Sequence, residues 1–506
     1  MMKMIDPELK FISEPKLTFG HGQKAIDPRD GLMLFGPFDG KKVRGEKTIG
    51  VMGPLRLRNL MIDYLKKIHK HVVCEDNTVA RPNFPGLESA FGVSINFNNI
   101  QQLNIEETNI NKFLNYSDSH QRVHNLVNLY VDRLNNYMKE EEIAVDMWFV
   151  VIPKSIYQYC RPLSKIRNNE NTVHEGLRPK ERNEGTLFLF DDMQEEHNRL
   201  SEAYLFEVNF HNQLKAKLLP LKITTQIIRE DKIDYEHVLT SERFIESERK
   251  FDSAKAWNIS TTMYYKLGGL PWKLGDIREK VCYLGLVYKQ LDEKNKNACC
   301  AAQMFLDSGD GMVFKGNIGP YWDKKKKEFH LTRNDATSLI SQSLNAFQDK
   351  FGFYPEEVFI HARTYFNDEE WDGFEEAASN IKLVGVRIRE HTNFKMYRQR
   401  QYCIPRGTML QFDYNRAFLW TKGFIPRIQN QMGLETPNPL EIEVVRGTEN
   451  IYIVCKDILS LTKLNYNACI YGDGVPVTLK FADSIGEVLT AGRNIVTGVL
   501  PFKYYI

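Results

Sequence analysis

The first half of the chain alternates apolar runs with stretches whose apolar residues recur every three or four positions. The apolar runs predict strands at Thr48–Met52, Phe91–Phe97 and Met147–Pro153. The three-and-four spacing predicts helices near Arg56–His71 and at about Ser119–Glu141. Strands that alternate with helices favour a parallel sheet covered by helices, so this half is predicted to be Rossmann-like.

A charged stretch with few apolar residues then interrupts the pattern, from Arg161 to about Tyr204. Such a stretch is typical of a long insertion or a mobile loop. The pattern resumes with a short amphipathic helix, Asn212–Leu219, which leads through Pro220 into an apolar strand at Ile223–Ile228. A second helical stretch ends at Lys266.

The second half opens after Leu270-Pro271-Trp272, which is typical of a linker. Its pattern predicts three strands, a helix and a fourth strand, at Val281–Tyr288, about Ala298–Asp307, Gly311–Lys315, Asp335–Phe351 and Glu357–His361. This is the element order of an RNase H-like sheet. The lysine run 324–327 is predicted to be an exposed hairpin tip, with contact to a nucleic-acid backbone as the alternative.

Composition is that of an ordinary globular protein. The 506 residues are 42% hydrophobic and 26% charged, which allows roughly two to four domains. The net charge of +2 excludes a polycation, so any nucleic-acid site must come from local clusters of lysine and arginine. The eight cysteines form no CxxC pair, which favours buried thiols over disulfides or zinc. Without a signal sequence or an apolar membrane span, a cytoplasmic protein with no membrane association is expected.

Four residues around the Asn212–Leu219 helix have the chemistry to surround a terminal phosphate. His211 and Lys215 are four residues apart, which places them one turn apart on one face of a helix. Gln226 lies in the strand that follows, and Lys266 ends the second helical stretch. Lysines supply charge, whereas an imidazole and an amide supply directed hydrogen bonds. Taken alone, the spacing also fits a solvated helix face.

The order of these residues resembles the pocket that holds the guide 5′ end in the MID domain of Argonaute proteins. His-x-x-x-Lys, a strand that carries Thr225-Gln226, and Lys-Leu-Gly-Gly follow one another as in that pocket. Many Argonautes have Tyr at the position of His211, and the prokaryotic variants with His-x-x-x-Lys fit this chain better. The resemblance implies that a guide 5′-phosphate is bound by His211, Lys215, Gln226 and Lys266.

Two further stretches bear on this resemblance. The Gly- and Pro-rich residues 27–38 resemble the lead-in to the MID domain of prokaryotic Argonautes. Tyr157-x-x-x-Arg161 has the same spacing as the pocket pair, but it lies before the charged insertion. We set it aside because the pocket helix is expected to precede the Thr-Gln strand directly.

The second half resembles the PIWI domain, but two of its catalytic carboxylates are replaced. An RNase H-like site cuts phosphodiesters with two divalent metals held by carboxylates from adjacent strands. In cleaving Argonautes the first Asp follows Gly-x in the opening strand, where this chain has Val287. The second lies in an Ile-His-Arg-Asp-Gly-like stretch, where this chain has Arg363. Asp483, in a segment that resembles Tyr-Ala-His/Asp, is the retained carboxylate, and no residue is assigned to the glutamate finger.

These replacements predict that the chain is not a nuclease. An isopropyl group does not bind a metal, and a guanidinium placed in the site repels one. The resemblance implies that a groove for nucleic acid remains. Its candidate lining residues are Arg387, Arg389, Lys395, Arg398 and Arg400, with a solvated basic face as the alternative. It also implies that the main-chain carboxylate of Ile506 helps to hold Mg²⁺ at the guide phosphate.

The resemblance divides the chain into a lead-in segment (1–45), a MID domain (46–275, with the insertion at about 161–204) and an RNase H-like PIWI domain (276–506). The expected fold is α/β, a Rossmann-like MID domain followed by an RNase H-like PIWI domain. Its length, pocket and lost carboxylates are similar to those of a short, catalytically inactive prokaryotic Argonaute, closest to those paired with a TIR-APAZ protein.

The resemblance implies that a 5′-phosphorylated guide RNA directs recognition of single-stranded plasmid or phage DNA. Target binding then activates the TIR-APAZ partner in a heterodimer that oligomerises, and the partner hydrolyses NAD and kills or arrests the invaded cell. Three alternatives stay open: a Sir2-APAZ or nuclease-APAZ partner, a nuclease with a rearranged metal site, and a Rossmann-type metabolic enzyme. The absence of G-x-G-x-x-G argues against the last of these.

Overall fold

The computed structural model describes residues 6–74, 78–140, 143–166, 170–182, 191–275, 278–290, 298–305, 311–315, 321–390, 393–399, 402–429, 436–492 and 500–506. Within these residues the strands form a four-stranded sheet in the first half of the chain and a ten-stranded sheet that consists of nine strands from the second half and the N-terminal strand β1. Three smaller sheets of two or three strands accompany them. In this described part, no helix is long and apolar enough to cross a membrane.

The strands, in chain order, are β1 (Glu8–Phe11), β2 (Leu17–Thr18), β3 (Lys24–Ala25), β4 (Gly45–Lys47), β5 (Ile49–Gly53), β6 (Val93–Ile95), β7 (Gln101–Asn104), β8 (Met147–Ile152), β9 (Thr225–Arg229), β10 (Lys273–Leu274), β11 (Val281–Gln290), β12 (Ala298–Phe305), β13 (Gly311–Lys315), β14 (Tyr321–Asp323), β15 (Glu328–His330), β16 (Glu357–Ala362), β17 (Lys382–Glu390), β18 (Thr408–Gln411), β19 (Arg416–Leu419), β20 (Leu440–Arg446) and β21 (Leu500–Pro501).

The α-helices are α1 (Pro28–Phe35), α2 (Leu55–His69), α3 (Leu87–Phe91), α4 (Glu107–Leu114), α5 (Ser119–Glu140), α6 (Lys154–Tyr159), α7 (Asp191–Glu202), α8 (Phe210–Leu218), α9 (Glu230–Ile233), α10 (Tyr235–Val238), α11 (Glu242–Arg249), α12 (Asp252–Lys266), α13 (Arg333–Phe351), α14 (Asp368–Ala377), α15 (Ile451–Leu461) and α16 (Val477–Leu489).

The four-stranded sheet runs in the order β7-β5-β8-β9, and every neighbouring pair in it is parallel. Successive residues of β8 face opposite sides. Trp148 and Val150 pack in the core that contains α5 and α8, whereas Phe149 and Val151 pack in the core that contains α2. Gly50 of β5 gives the Trp148 indole its space, since a Cβ there would lie 2.2 Å from the ring. Burial of both faces explains the continuous apolar runs in the sequence, and the predicted Rossmann-like sheet is confirmed. The strand predicted at Phe91–Phe97 is not part of it, because β6 pairs with β4 in a separate sheet and β7 pairs with β5 instead.

The ten-stranded sheet runs in the order β1-β18-β19-β20-β17-β16-β11-β12-β13-β21. Strands β11, β12 and β13 are neighbours and antiparallel, and β16 returns after α13 to lie parallel to β11. This confirms the RNase H-like order predicted from the sequence. Helix α16 lies close against β11, because Gly285 has no side chain: a Cβ there would lie 2.0 Å from the carbonyl oxygen of Thr478.

The N-terminal segment joins both halves of the chain. β1 pairs with β18 at the edge of the ten-stranded sheet, and β2 and β3 form a small sheet with β10. The carboxylate of Glu14 accepts hydrogen bonds from Arg406 Nε and Lys463 Nζ, at 3.0 and 2.8 Å, and both of these cations are buried. The segment predicted as a lead-in to the first domain therefore contributes to the second sheet as well. The domain boundaries themselves stay a prediction.

Several predicted elements differ in detail. The stretch predicted as an insertion or mobile loop contains a helix, α7, which forms because His197, Leu200 and Ser201 are buried. The strand predicted from Ile223 begins at Thr225. The lysine run 324–327 is exposed between β14 and β15, which confirms the predicted hairpin tip.

Candidate functional site

Helix α8 carries the first two residues of the predicted phosphate pocket. Asn209 caps the helix, since its side chain accepts a hydrogen bond from the backbone N–H of Asn212. Leu214 and Leu218 anchor the helix in the core that it shares with α5. Lys215 is only 1% exposed, which is unusual for a lysine and calls for hydrogen-bonding partners.

The two predicted lysines meet at one backbone carbonyl. Lys215 Nζ lies 2.7 Å from the carbonyl oxygen of Thr225 and 3.0 Å from its Oγ1. Lys266 Nζ, which is equally buried, lies 2.7 Å from the same carbonyl oxygen and 2.6 Å from Gln226 Oε1. The structure thus brings Lys215, Gln226 and Lys266 together around the first residue of β9. Two ammonium groups on one neutral acceptor form an arrangement that a bound anion stabilises.

The pKa values of this pair reflect its charge imbalance. Burial lowers the pKa of Lys215 to about 7. Burial, together with the positive charge of Lys215, also lowers the pKa of Lys266 well below that of an ordinary lysine. Desolvation and the nearby charge of Lys215 lower the pKa of His211 as well. Two protonated lysines at one carbonyl therefore require compensating negative charge close to them.

His211 lies at the edge of this pocket, where it lines an adjoining cavity of about 460 Å³. Its ring Nδ1 lies 3.0 Å from Asn212 Oδ1. The remaining lining residues come from the carboxyl ends of two neighbouring strands and from the helices beside them: Ile152, Tyr157, Ile227, Ile228, Arg229, Lys232, Lys255, Asn258 and Ile259. Ligand sites of parallel α/β sheets lie at the carboxyl ends of the strands. The cavity therefore extends the phosphate pocket with apolar walls and a cationic rim.

The sequence analysis assigns none of four charged or aromatic lining residues to the site: Tyr157, Arg229, Lys232 and Lys255. Tyr157 was set aside on its sequence position, yet the structure places its ring on the wall of the cavity that His211 lines. The Arg229 guanidinium lies 4.0 Å from the centre of that ring. Lys232 and Lys255 complete the set. The signal that points to Tyr157 and Arg229 is their place just beyond, or at the end of, adjacent parallel strands, rather than their spacing in the sequence.

The main chain of Ile506 reaches the same pocket. Its oxygen accepts a hydrogen bond from Lys215 Nζ at 2.6 Å. The main-chain oxygen of Ile506, the Thr225 carbonyl and the Gln226 amide oxygen are the kind of hard donor that Mg²⁺ prefers. Each of them already accepts a hydrogen bond from Lys215 or Lys266 at 2.6 or 2.7 Å, so an ion bound here would displace these contacts. Acidic side chains do not take part: the described residues hold no group of three or more His, Cys, Asp or Glu side chains that could bind a metal by themselves.

The three positions that the sequence assigns to a degenerate catalytic site, Val287, Arg363 and Asp483, line a second cavity of about 230 Å³. Val287 ends the buried part of β11, and Arg363 directly follows β16, the parallel neighbour of β11. Arg363 Nη2 donates a hydrogen bond to Asp483 Oδ2, on α16, and Lys289 Nζ lies 3.4 Å from Asp483 Oδ1. Asp483, the carboxylate that the resemblance predicts to be retained, is therefore paired with two cations.

The predicted groove residues have different environments. Arg387 is buried, paired with Glu443 at 3.0 Å and placed 4.0 Å above the Tyr365 ring, so its charge is already compensated within the protein. Lys395 Nζ donates to the Thr436 carbonyl at 3.1 Å. Arg389 and Arg398 are exposed, and Arg400 lies outside the described residues. The structure therefore leaves Arg389 and Arg398 as the accessible cations among the described members of this set.

No protein-family model matches the sequence. Among curated proteins, the Argonaute of Aquifex aeolicus is 22% identical over 255 residues, which are 49% of this chain and 33% of that protein. The solved Argonaute of Clostridium butyricum, bound to a guide DNA and a 19-mer target DNA, superposes with a TM-score of 0.64 over 99% of this chain. The chain has the Argonaute fold.

Two other solved structures share this fold. The A. aeolicus Argonaute has a TM-score of 0.54 at 15% identity and Drosophila Piwi one of 0.57 at 13% identity, covering 97% and 98% of this chain. The chain spans about half the length of these proteins: it covers 55% of the C. butyricum chain, 54% of the A. aeolicus chain and 56% of Piwi. The mixed α/β fold predicted from the sequence is thus confirmed.

Proposed function

We propose that the chain binds a 5′-phosphorylated guide RNA and uses it to recognise single-stranded target DNA. The observation that carries this proposal is the meeting of Lys215 and Lys266 at the Thr225 carbonyl, beside Gln226. A terminal phosphate carries about 1.5 to 2 negative charges at neutral pH, which matches two lysines. The adjoining cavity, with Tyr157 on its wall, has the shape and apolar character to accept the first base.

The comparisons support the same class of function. The C. butyricum Argonaute was solved with a guide DNA and a target DNA, and its fold matches this chain along almost its whole length. For this chain we propose a guide RNA, as the resemblance implies. When Mg²⁺ is bound, it adds positive charge at the guide phosphate, and the main-chain carboxylate of Ile506 would hold it together with phosphate oxygens. The lysines and Gln226 orient the phosphate, and their burial excludes competing water.

The proposed target recognition occurs without cleavage. Two-metal catalysis needs clustered carboxylates, and the cavity formed by β11 and β16 presents Val287 and Arg363 where two of them are expected. Its two lining carboxylates are Asp483, which pairs with Arg363, and Glu328 on the β14–β15 hairpin. Incubation of the guide-loaded chain with labelled complementary DNA, in Mg²⁺ and separately in Mn²⁺, is expected to leave the DNA intact. Guide-dependent product bands would overturn this part of the proposal and favour a nuclease with a rearranged metal site.

The proposed function also includes a partner protein that carries the enzymatic activity. The resemblance to short Argonautes supports a heterodimer with a TIR-APAZ protein, which oligomerises on target binding and hydrolyses NAD in defence against plasmids or phage. A Sir2-APAZ or nuclease-APAZ partner is the alternative. Copurification of the chain with the product of its neighbouring gene, followed by addition of complementary DNA, tests this. NAD consumption is expected only when guide and target are both present, and target-dependent nucleic-acid degradation instead would identify a nuclease partner.

The guide pocket is tested by single substitutions on α8. Lys215→Ala removes one of the two cations at the phosphate, and a hydrogen bond to a charged group contributes about 1.5–3 kcal/mol. We expect affinity for a 5′-phosphate guide to fall by about one to two orders of magnitude, while affinity for a 5′-hydroxyl guide changes little. Lys217→Ala is the matched control, because Lys217 lies on the same helix and donates to Asn128 at 2.6 Å.

Equal losses for both guides, or equal effects of the two substitutions, would contradict the assignment of Lys215. Binding is measured by fluorescence anisotropy with short labelled RNAs that differ only at the 5′ end.

A further inference from the structure

A chain of two hydrogen bonds leads from His211 away from the cavity and ends at Glu207. His211 Nδ1 lies 3.0 Å from Asn212 Oδ1, and Asn212 Nδ2 donates to Glu207 Oε1 at 2.7 Å. The Asn212 residue is only 5% exposed, and each polar atom of its side chain has one of these two partners. Glu207 lies in the connection between α7 and α8 and does not line the cavity.

The Glu207 carboxylate sets the direction of both hydrogen bonds. An ionised carboxylate only accepts hydrogen bonds, so the Asn212 amide must turn its NH₂ group toward Glu207 and its oxygen toward His211. That amide oxygen also only accepts, which places a proton on Nδ1 of the imidazole. Nε2 is then the ring nitrogen that can contact a ligand in the cavity, and it donates a hydrogen bond when the ring is doubly protonated.

Glu207 is held in place by the end of α16, which belongs to the second half of the chain. Its backbone N–H donates to the Ala491 carbonyl at 2.9 Å, and Phe206 forms an antiparallel bridge with Gly492. The backbone carbonyl of Glu207 accepts a hydrogen bond from the buried side chain of Gln213 on α8. The orientation of His211 therefore depends on packing between the two halves of the chain.

The charges of the two end groups suit a phosphate ligand. Burial raises the pKa of Glu207 to about 6, which leaves the carboxylate mostly ionised at neutral pH. Burial and the charge of Lys215 lower the pKa of His211 to about 4, and the hydrogen bond with Asn212 opposes this shift. A fully ionised phosphate offers only acceptor oxygens, so its contact with Nε2 needs the protonated ring, whose Nδ1–H then donates to Asn212.

We propose that Glu207 is a positioning residue of the guide pocket: through Asn212 it holds Nδ1 of His211 away from the ligand and leaves Nε2 to donate to the guide 5′-phosphate. The inference rests on the proposed function, because the guide phosphate is the ligand that His211 would meet. It adds to the pocket a residue that acts from outside the cavity lining and that the second half of the chain keeps in place.

The test measures the affinity of the full chain for RNAs that carry either a 5′-phosphate or a 5′-hydroxyl. Glu207→Gln keeps the size of the side chain but lets it donate as well as accept, so the Asn212 amide is no longer fixed. We expect roughly threefold to tenfold weaker binding of the phosphate guide, the effect of about one hydrogen bond, and little change for the hydroxyl guide. His211→Ala should give a selective loss at least as large.

A double-mutant cycle distinguishes positioning from a merely structural role. If Glu207 acts through the imidazole, Glu207→Gln adds little further loss once His211→Ala is present. Glu202→Gln is the matched control, because Glu202 ends α7, five residues before Glu207, and lies 3.7 Å from Lys217 without lining the cavity. This control variant should bind both guides as the unsubstituted chain does.

The tautomer of His211 gives a readout that needs no guide. In the free chain, ¹⁵N NMR of labelled histidine should show the proton on Nδ1, with the His211 signal identified by its loss in His211→Ala. Glu207→Gln should shift that signal toward a mixture of the two tautomers. A proton on Nε2 in the unsubstituted chain would contradict the positioning role, whatever the guide affinities are.

The binding outcomes separate this inference from the function beneath it. Equal losses for both guides in Glu207→Gln, or additive losses in the double variant, overturn the positioning role and leave guide binding intact. Failure of the unsubstituted chain to prefer 5′-phosphate guides overturns the proposed function, and this inference with it. A selective loss that disappears in the His211→Ala background supports both.

Discussion

Binding of a 5′-phosphate guide is predicted to take up a proton, because the lysine pair in the pocket is only partly charged without an anion. Burial lowers the pKa of Lys215 to about 7, so this side chain is about half protonated at neutral pH in the free chain. A phosphate placed against it favours the ammonium form and raises that pKa again. Binding is therefore strongest when the lysine is already protonated, and affinity falls as the pH rises above about 7.

The size of the effect follows from the linkage of one proton. If the bound-state pKa returns to that of an ordinary lysine, the dissociation constant rises by about 50-fold between pH 7 and pH 9. The second pKa of the guide phosphate is about 6, so the phosphate remains a dianion over this range and does not contribute. The neighbouring Lys266 titrates together with Lys215, so the measured midpoint belongs to the pair.

The assay is fluorescence anisotropy at constant ionic strength, with paired 5′-phosphate and 5′-hydroxyl RNAs at pH 7, 8 and 9. The hydroxyl guide should show little pH dependence, because no anion meets the lysines. Lys215→Arg supplies the matched variant: an arginine stays charged at every pH tested, so the steep loss of affinity should flatten. Equal affinity for the phosphate guide at pH 7 and pH 9 in the unsubstituted chain would refute the reasoning.

Three further predictions concern the second cavity and the core. Val287→Asp combined with Arg363→Asp places two new carboxylates in the cavity, and we expect Mn²⁺ binding at least about tenfold tighter than in the unsubstituted chain by isothermal titration calorimetry. Gly50→Ala should lower the thermal midpoint and destabilise the chain by about 2 kcal/mol or more, since its Cβ would lie 2.2 Å from the Trp148 ring. Glu14→Gln should destabilise by about 3 kcal/mol in a denaturant titration, because it removes the negative charge that two buried cations share.

The sequence pattern predicted elements best where both faces of a strand are buried. β8 was evident as a continuous apolar run because its neighbours on both faces are apolar helices. The pairing of β1 with β18 had no such signal in the sequence. Lys10 Nζ donates to Gln411, 401 residues further along the chain, and contacts between such distant residues leave no periodic pattern of apolar positions. The helix α7 was missed for a related reason, since its few buried residues lie within a charged stretch.

The candidate site was predictable in its residue types and less so in its geometry. His211 and Lys215 lie one turn apart as expected, but they belong to different parts of the site. Lys215 is buried in the lysine pair, whereas His211 lines the adjoining cavity. Helix spacing fixes which residues share a face, and the partners that bury one of them come from β9 and from Ile506, 291 residues away. Those partners could not be read from the spacing.

The guide pocket places cations in surroundings that a phosphate would satisfy, because Lys215 and Lys266 share a neutral carbonyl. The whole chain carries a net charge of only +2, so a nucleic acid gains little from the average field of the protein. Under the proposed function, affinity would then depend on a few fixed contacts rather than on a broad basic surface. Such a sensor discriminates a phosphorylated guide from other short RNAs, because the contact that distinguishes them is also among the strongest.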